Sequence, residues 1–300
     1  MRGEAPSEIL CYLEEVLGKN LHEVVDVVTG TSTGSIVSCL LASGYSAKDI
    51  ISFYEGKDAK TIFKHSLIGC LQFFSGINCP KFDSNNLKNI LKDKLEDKKL
   101  KDCLTHLLVP VDDWANRTGK IFTTIIDKEE SIEDIELWKV CTSSSSAETY
   151  FSGFNRDNKA FYFDGGLYSG NPSDMAFLYT QKHLGATVDN TIVISLGTGT
   201  LVDYIAPEKL EKFGWVDFAG NLINEIMDRN TTKSHDIMNM LFEGTGNYFR
   251  FQFDCPKEYE AMDNTSDKFI QGLKKFTRNN IDTIWKESLS VLVEKLKNNK

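Results

Sequence analysis

Val24-Val25-Asp26-Val27-Val28-Thr29-Gly30-Thr31-Ser32-Thr33-Gly34 runs directly into Ser35-Ile36-Val37-Ser38-Cys39-Leu40-Leu41-Ala42-Ser43-Gly44. The β-branched run closed by Gly30 predicts a buried strand over Val24 to Val28, and the compact apolar stretch predicts a helix over Ser35 to Ser43, stopped by Gly44. Between them stands Gly-x-Ser-x-Gly. Alone, that pattern is weak. Its context is specific, because a nucleophile elbow needs a buried strand, a turn with no room for side chains at its flanks, and a helix that starts at once. Such a turn exposes the Ser32 hydroxyl on a strained backbone. It also aims a helix N-terminus at the hydroxyl, so backbone N–H groups, that of Thr33 included, can hold an oxyanion.

Working outward, helix and strand patterns alternate along the chain. Further strands are expected at Leu107–Val111, Ile121–Ile126, Ala160–Phe163, Thr191–Leu196 and Tyr248–Phe253, and helices at Pro6–Leu17, Asn85–Leu95, Ile135–Ser144, Ser173–Leu184 and Trp215–Asp228. Strands separated by helices predict a layered α/β architecture with a largely parallel sheet. No repeat and no Pro/Gly-rich linker divides the chain. One domain over 1–300 is expected, with a motif-bearing core at about 2–253 and a helical segment at about 265–298. The charge-dense stretch Leu87 to Leu104 reads as a solvated helix face.

Composition narrows the function classes. The chain has 300 residues, 41% hydrophobic and 26% charged, with a formal net charge of -9. That acidic balance argues against nucleic-acid binding and disfavours docking on anionic lipid by charge alone. No apolar run reaches the roughly 18 residues of a membrane span, and the first residues lack the apolar core of a signal peptide. Seven scattered cysteines without a Cys-x-x-Cys pair read as reduced thiols. A cytoplasmic protein, able to sit peripherally on membranes, is the expectation. No metal site and no cofactor are expected.

A serine nucleophile needs a base. In an α/β-hydrolase arrangement Asp164 followed by His183 or His235 has the right order for a triad. Only one strand precedes the elbow, however, where that fold builds several first. The alternative is a carboxylate acting alone. Asp164-Gly165-Gly166 closes the strand Ala160–Phe163, where two glycines let another backbone come close. An Asp within about 3 Å of a serine hydroxyl can take its proton directly, and semi-burial raises its pKa to a useful range. Apolar residues available to line an acyl groove are Phe73, Phe74, Phe151 and Phe154.

Four motifs follow one another: Gly30 to Gly34, Cys141-Thr-Ser-Ser-Ser-Ser-Ala-Glu-Thr-Tyr-Phe151, Asp164-Gly-Gly-Leu-Tyr-Ser-Gly-Asn-Pro172 and Ile194-Ser-Leu-Gly-Thr-Gly199. In this order they resemble the patatin-like phospholipase family, from Arg2 to about Phe253. The resemblance implies a three-layer α/β/α fold, Ser32 as nucleophile and Asp164 as general base. It also implies hydrolysis of fatty-acyl esters of phospholipids or galactolipids through an acyl-serine, with a lipid surface as partner and no metal. One motif departs. Family members carry Gly-Gly-Gly-x-Arg-Gly before their first helix, whose N–H groups form much of the oxyanion hole. Here Arg2-Gly3 matches the last two positions with Met1 at x. The expectation is a chain that starts inside this motif, with an oxyanion hole resting on Thr33 and whatever Arg2 and Gly3 provide. Loss of one such donor costs about 10²–10³ in rate. Loss of the preceding strand would leave an apolar sheet edge uncovered. A catalytically impaired member that binds lipid or serves storage or interaction is therefore the alternative.

Overall fold

The computed structural model describes residues 1–64, 80–201, 206–212 and 214–298. Its elements begin with α1 (Glu4–Leu17), β1 (Val27–Thr29), α2 (Thr33–Ala42), α3 (Ala47–Glu55), α4 (Lys57–Ile62) and α5 (Ser84–Leu95). The centre carries β2 (His106–Asp113), β3 (Thr118–Thr123), α6 (Leu137–Ser144), β4 (Phe154–Asn155), β5 (Phe161–Phe163), α7 (Gly166–Ser169) and α8 (Ser173–Leu184). The chain then passes through β6 (Val193–Leu196), α9 (Pro207–Leu210), α10 (Trp215–Leu241), β7 (Tyr248–Phe251), α11 (Asp267–Asp282) and α12 (Lys286–Asn298).

The sheet corrects one expectation. It is mixed, with order β1-β2-β5-β4 and β3 also on β2, and only β1–β2 is parallel among its pairs. The reason is local. Four residues, Trp114 to Arg117, join β2 to β3, and so short a connection can link only antiparallel neighbours. Asn116 folds back onto the Asp113 carboxylate at 2.7 Å, and Arg117 takes the left-handed conformation that turns the chain. A second, two-stranded sheet pairs β6 and β7 in parallel. The strand expected over Val24–Val28 is shorter and later, because Leu21–Glu23 forms a 3₁₀ turn ahead of it.

β2 is the centre of the layered architecture. Leu107, Leu108, Val109 and Val111 are all fully buried, and since successive strand residues point to opposite faces, both faces of β2 are covered. α2 and α6 pack against it, and so does α7. Every residue of α2 from Ser35 to Ala42 is buried, as a helix apolar all round requires. One buried cluster then runs from Ile9 and Leu13 of α1 through β2 to Phe269, Leu273, Leu289 and Leu292 of the C-terminal helices. The apolar stripe expected near the C-terminus therefore packs on the body, with Trp285 buried and Ile284 left exposed. Among the described residues, no helix is long and apolar enough to cross a membrane. Cys11, Cys39, Cys103, Cys141 and Cys255 are free thiols; Cys70 and Cys79 lie outside the described residues.

A charged pair ties the two ends together. Glu8 of α1 is completely buried and is met by the Arg278 guanidinium of α11, with Lys274 Nζ at 3.9 Å. Breaking such a pair leaves an uncompensated buried carboxylate. Arg278→Ala should lower unfolding stability by about 3 kcal/mol, read as a shift in the urea midpoint with little change in slope. Arg278→Lys should recover part of the loss.

Candidate active site

The elbow forms as its sequence requires. Ser32 takes φ 56 and ψ −124 and caps α2, which begins at the next residue. The turn is closed by Gly34 N–H to the Thr31 carbonyl at 2.8 Å and Ser35 N–H to the Ser32 carbonyl at 2.9 Å. Gly30 is sterically obligatory, since a Cβ there would stand 2.0 Å from the Gly34 carbonyl oxygen. Gly34 is not: a Cβ on it would meet nothing within 4 Å. The tightness expected at both flanks is thus imposed by the first glycine alone. Among the described residues the Thr33 N–H has no partner in the turn, which leaves it as a donor beside the Ser32 hydroxyl.

Asp164 comes to this turn from the end of β5. Gly165 makes the approach possible, because a Cβ on it would lie 2.2 Å from the Pro110 carbonyl of β2 and 3.1 Å from Thr31 Cγ2. The carboxylate is fully buried. Its Oδ1 accepts the Gly166 N–H at 2.8 Å, whereas Oδ2 has no complete hydrogen bond. Burial pushes its pKa up from 3.8 to about 6, while the Ser32 hydroxyl and the Gly166 N–H hold the rise down. The carboxylate thus feels the Ser32 hydroxyl, although no hydrogen bond closes between them. A carboxylate of this kind is mostly ionised at pH 7 yet a stronger base than an exposed one.

Both groups hang on one serine that sequence reading left without a role. The Ser144 hydroxyl, at the end of α6, accepts the Ser32 N–H at 3.2 Å and donates to the Pro110 carbonyl at 2.8 Å. The Ser144 carbonyl accepts the Gly165 N–H at 3.2 Å, and the Ser146 carbonyl takes the Asp164 N–H at 3.1 Å. Thr31 adds a further tie, donating to the Ser169 carbonyl at 2.6 Å. The run of four serines was visible; that one of them bridges two segments 132 residues apart in sequence was not. Glu148, in the same loop, is pushed up to about 8 by burial and by the Asp164 charge, so it is neutral at pH 7 and adds no repulsion to Asp164.

The remaining candidates fall into place unevenly. Gly3 lies against the elbow, where a Cβ would stand 2.4 Å from Thr33 Oγ1 and 2.5 Å from the Tyr54 ring. Tyr54 in turn holds the Thr33 hydroxyl at 2.7 Å. Arg2 points its guanidinium to the Gly199 carbonyl at 3.1 Å, bringing the fourth motif to the first. His183 pairs with Asp127 at 3.0 Å and His235 with the Tyr248 hydroxyl at 3.1 Å, so both histidines are engaged elsewhere. Among the described residues no set of His, Cys, Asp and Glu side chains is grouped to hold a metal ion.

A cavity of about 1460 Å³ opens at Ser32 and Thr33 and runs between β1 and β6, over Leu13, Val28, Val37, Phe177 and Ile194. The outer edge of β1 forms one wall of it. Of the phenylalanines available to line a groove, Phe151 and Phe154 do not line it. Phe151 is core, packed on Phe63 and Phe82 with ring centroids 5.9 and 5.8 Å away. Phe154 stacks edge-on to Trp138, and Phe73 and Phe74 lie outside the described residues.

The chain is similar in sequence to known proteins. A "Patatin-like protein 2" of Oryza sativa subsp. indica is 27% identical, matching 85% of this chain and 74% of its own. A "cGAMP-activated phospholipase" of Escherichia coli is 24% identical over 91% of this chain and 83% of its own. The crystal structure of VipD from Legionella pneumophila aligns over 94% of this chain and 65% of that one, at 9% identity and a TM-score of 0.40. The profile of the family described as Patatin-like phospholipase matches residues 1–177, which hold both the elbow and Asp164-Gly165-Gly166. The chain belongs to the patatin-like phospholipase family.

Proposed function

We propose that this protein is a lipid acyl hydrolase that cleaves fatty-acyl esters of phospholipids or galactolipids with Ser32 as nucleophile and Asp164 as base. The observation that carries the reading is the fully buried Asp164, with Oδ2 unpaired and the Ser32 hydroxyl beside it on a strained elbow. Ser32 Oγ attacks the acyl carbonyl as Asp164 Oδ2 takes its proton. The Thr33 N–H, at the start of α2, faces the developing oxyanion. Collapse of the tetrahedral intermediate expels the alcohol, which recovers the proton from Asp164. Water then cleaves the acyl-serine with Asp164 again as base. The apolar cavity beside Ser32 suits an acyl chain. Since the chain is acidic overall, attraction to a lipid surface is assigned to this apolar mouth, in a cytoplasmic protein that binds membranes peripherally.

A second reading, a lipid-binding member with impaired catalysis, is favoured by one observation. The Arg2 guanidinium is turned to the Gly199 carbonyl, and in this reading the Thr33 N–H carries the oxyanion without help from that cation.

Covalent labelling by a fluorophosphonate separates the two readings: the hydrolase labels at Ser32, and an unlabelled wild type would favour binding alone. Ser32→Ala should lower p-nitrophenyl butyrate hydrolysis at least about 10³-fold; unchanged turnover would overturn the assignment. The base must be ionised, so kcat/KM should rise with pH through an apparent pKa of about 6.

The same carboxylate costs stability. The native state binds its proton more tightly than the unfolded chain does, so stability falls as pH rises from about 4 to 6 and stays lower above that. A rise from 3.8 to about 6 corresponds to about 3 kcal/mol. Asp164→Asn should therefore raise the thermal midpoint at pH 7.5 while removing activity, and the gain should vanish near pH 4. Ser144→Ala should lower kcat about tenfold with KM little changed, and Ser144→Thr should restore most of it.

A further inference from the structure

Arg250 lies on β7, partly buried, on the wall of the cavity that opens at Ser32. Its guanidinium donates to the Ser195 hydroxyl at 2.9 Å. Among the described residues no carboxylate pairs with it. Asp228, on the same cavity, feels the charge of Arg2 instead. Burial pulls the Arg250 pKa down, and the neighbouring Tyr248 hydroxyl, whose own pKa burial raises, supplies no counter-charge at pH 7. A desolvated cation without a counter-charge costs several kcal/mol, so such sites ordinarily hold an anion.

A second and independent observation points the same way. Asn171 is 6% exposed, and its Oδ1 accepts from the Ser173 N–H at 3.3 Å, from the Ser173 hydroxyl and from the Ser195 hydroxyl at 3.3 Å. Those contacts fix the amide orientation and leave Nδ2 buried without a closed hydrogen bond on the cavity wall, with the Tyr248 hydroxyl beside it. Ser173 opens α8, a twelve-residue helix whose N-terminus meets the same space. A cation and an amide without a closed hydrogen bond thus converge, and both favour negative oxygen; the helix end beside them already has its Ser173 N–H on Asn171 and its Met175 N–H on Asp174.

We propose that Arg250 and Asn171, beside the N-terminus of α8, form a binding site for a phosphate oxyanion on the wall of the cavity that opens at Ser32. Thr31, adjacent to Ser32, is tied to the carbonyl two residues before Asn171, which places the site beside the elbow. Two sources supply this chemistry: the phosphodiester of a lipid headgroup, or free phosphate. The headgroup source alone rests on the hydrolase reading.

The test measures binding to Ser32→Ala protein, so that turnover plays no part. The probes are inorganic phosphate, monomeric dibutyryl phosphatidylcholine and uncharged dibutyryl glycerol, followed by calorimetry with and without Arg250→Gln. If the headgroup is the ligand, the phosphatidylcholine binds at least ten times more tightly than the diglyceride. Arg250→Gln then erases the difference, and phosphate competes. If free phosphate is the ligand, it binds in an Arg250-dependent way while the two lipids bind equally. Either result supports the site. Phosphate and lipid binding indifferent to Arg250→Gln would sink it. Should Arg250→Gln fail to fold, Asn171→Asp places an isosteric carboxylate against Arg250. That variant must then lose phosphate binding at least tenfold with a thermal midpoint no lower than the parent's; retained binding overturns the proposal. Because these readouts need no hydrolysis, a wild type that fails to label at Ser32 would remove the hydrolase reading and leave this one standing or falling by itself.

Discussion

A backbone bent at Ser32 into a conformation that L-residues avoid is the constraint around which this molecule is arranged. At φ 56 and ψ −124 the strain amounts to about 1–3 kcal/mol, and it persists only because neighbouring structure leaves no alternative. Gly30 lets the two arms of the turn touch. α2, buried on every side, cannot shift. The Ser144 hydroxyl holds the Ser32 N–H from outside, and Thr31 is anchored to Ser169. Relaxing the turn would break all of these at once. The strain is thus supported by packing that extends through β2 to both helical layers.

The same packing explains why Asp164 lies where it is costly. Gly165 is wedged against the β2 backbone, Ser146 holds the Asp164 N–H, and the carboxylate is left without solvent. Burial that raises a carboxylate pKa destabilises the charged native state and strengthens the base by the same free energy. Stability and basicity are two readings of one quantity here. Glu148, pushed up to about 8 by burial and by the Asp164 charge, is mostly neutral at pH 7 and spares Asp164 a further negative charge.

Much of the site was legible in local sequence because its parts are local. The elbow is written in twenty-one consecutive residues, Val24 to Gly44, whose strand, turn and helix signals do not depend on anything distant. Asp164 was legible through the two glycines after it. The parallel sheet was misread for a definite reason: Val111 and Ile121 both read as strand, and no helical pattern lies between them, which is the signature of a hairpin. Phe151 and Phe154 were open to a core or a lining role because an aromatic side chain carries no mark that tells one position from the other. Phe151 and Phe154 satisfy apolar neighbours on α4, α6 and the segment around Phe82, which only the folded chain brings near.

By itself, the sequence determined the layered α/β class, the strained serine between strand and helix, and the carboxylate that could serve it, since each is written in contiguous residues with their own conformational preferences. Tertiary structure alone decided that Ser144 bridges the two, that Asp164 has one oxygen free, and that Arg250 and Asn171 meet without a counter-charge. Those facts depend on which side chains are left unpaired after packing. A sequence states what each residue can bond to; only the fold determines which bonds remain to be made.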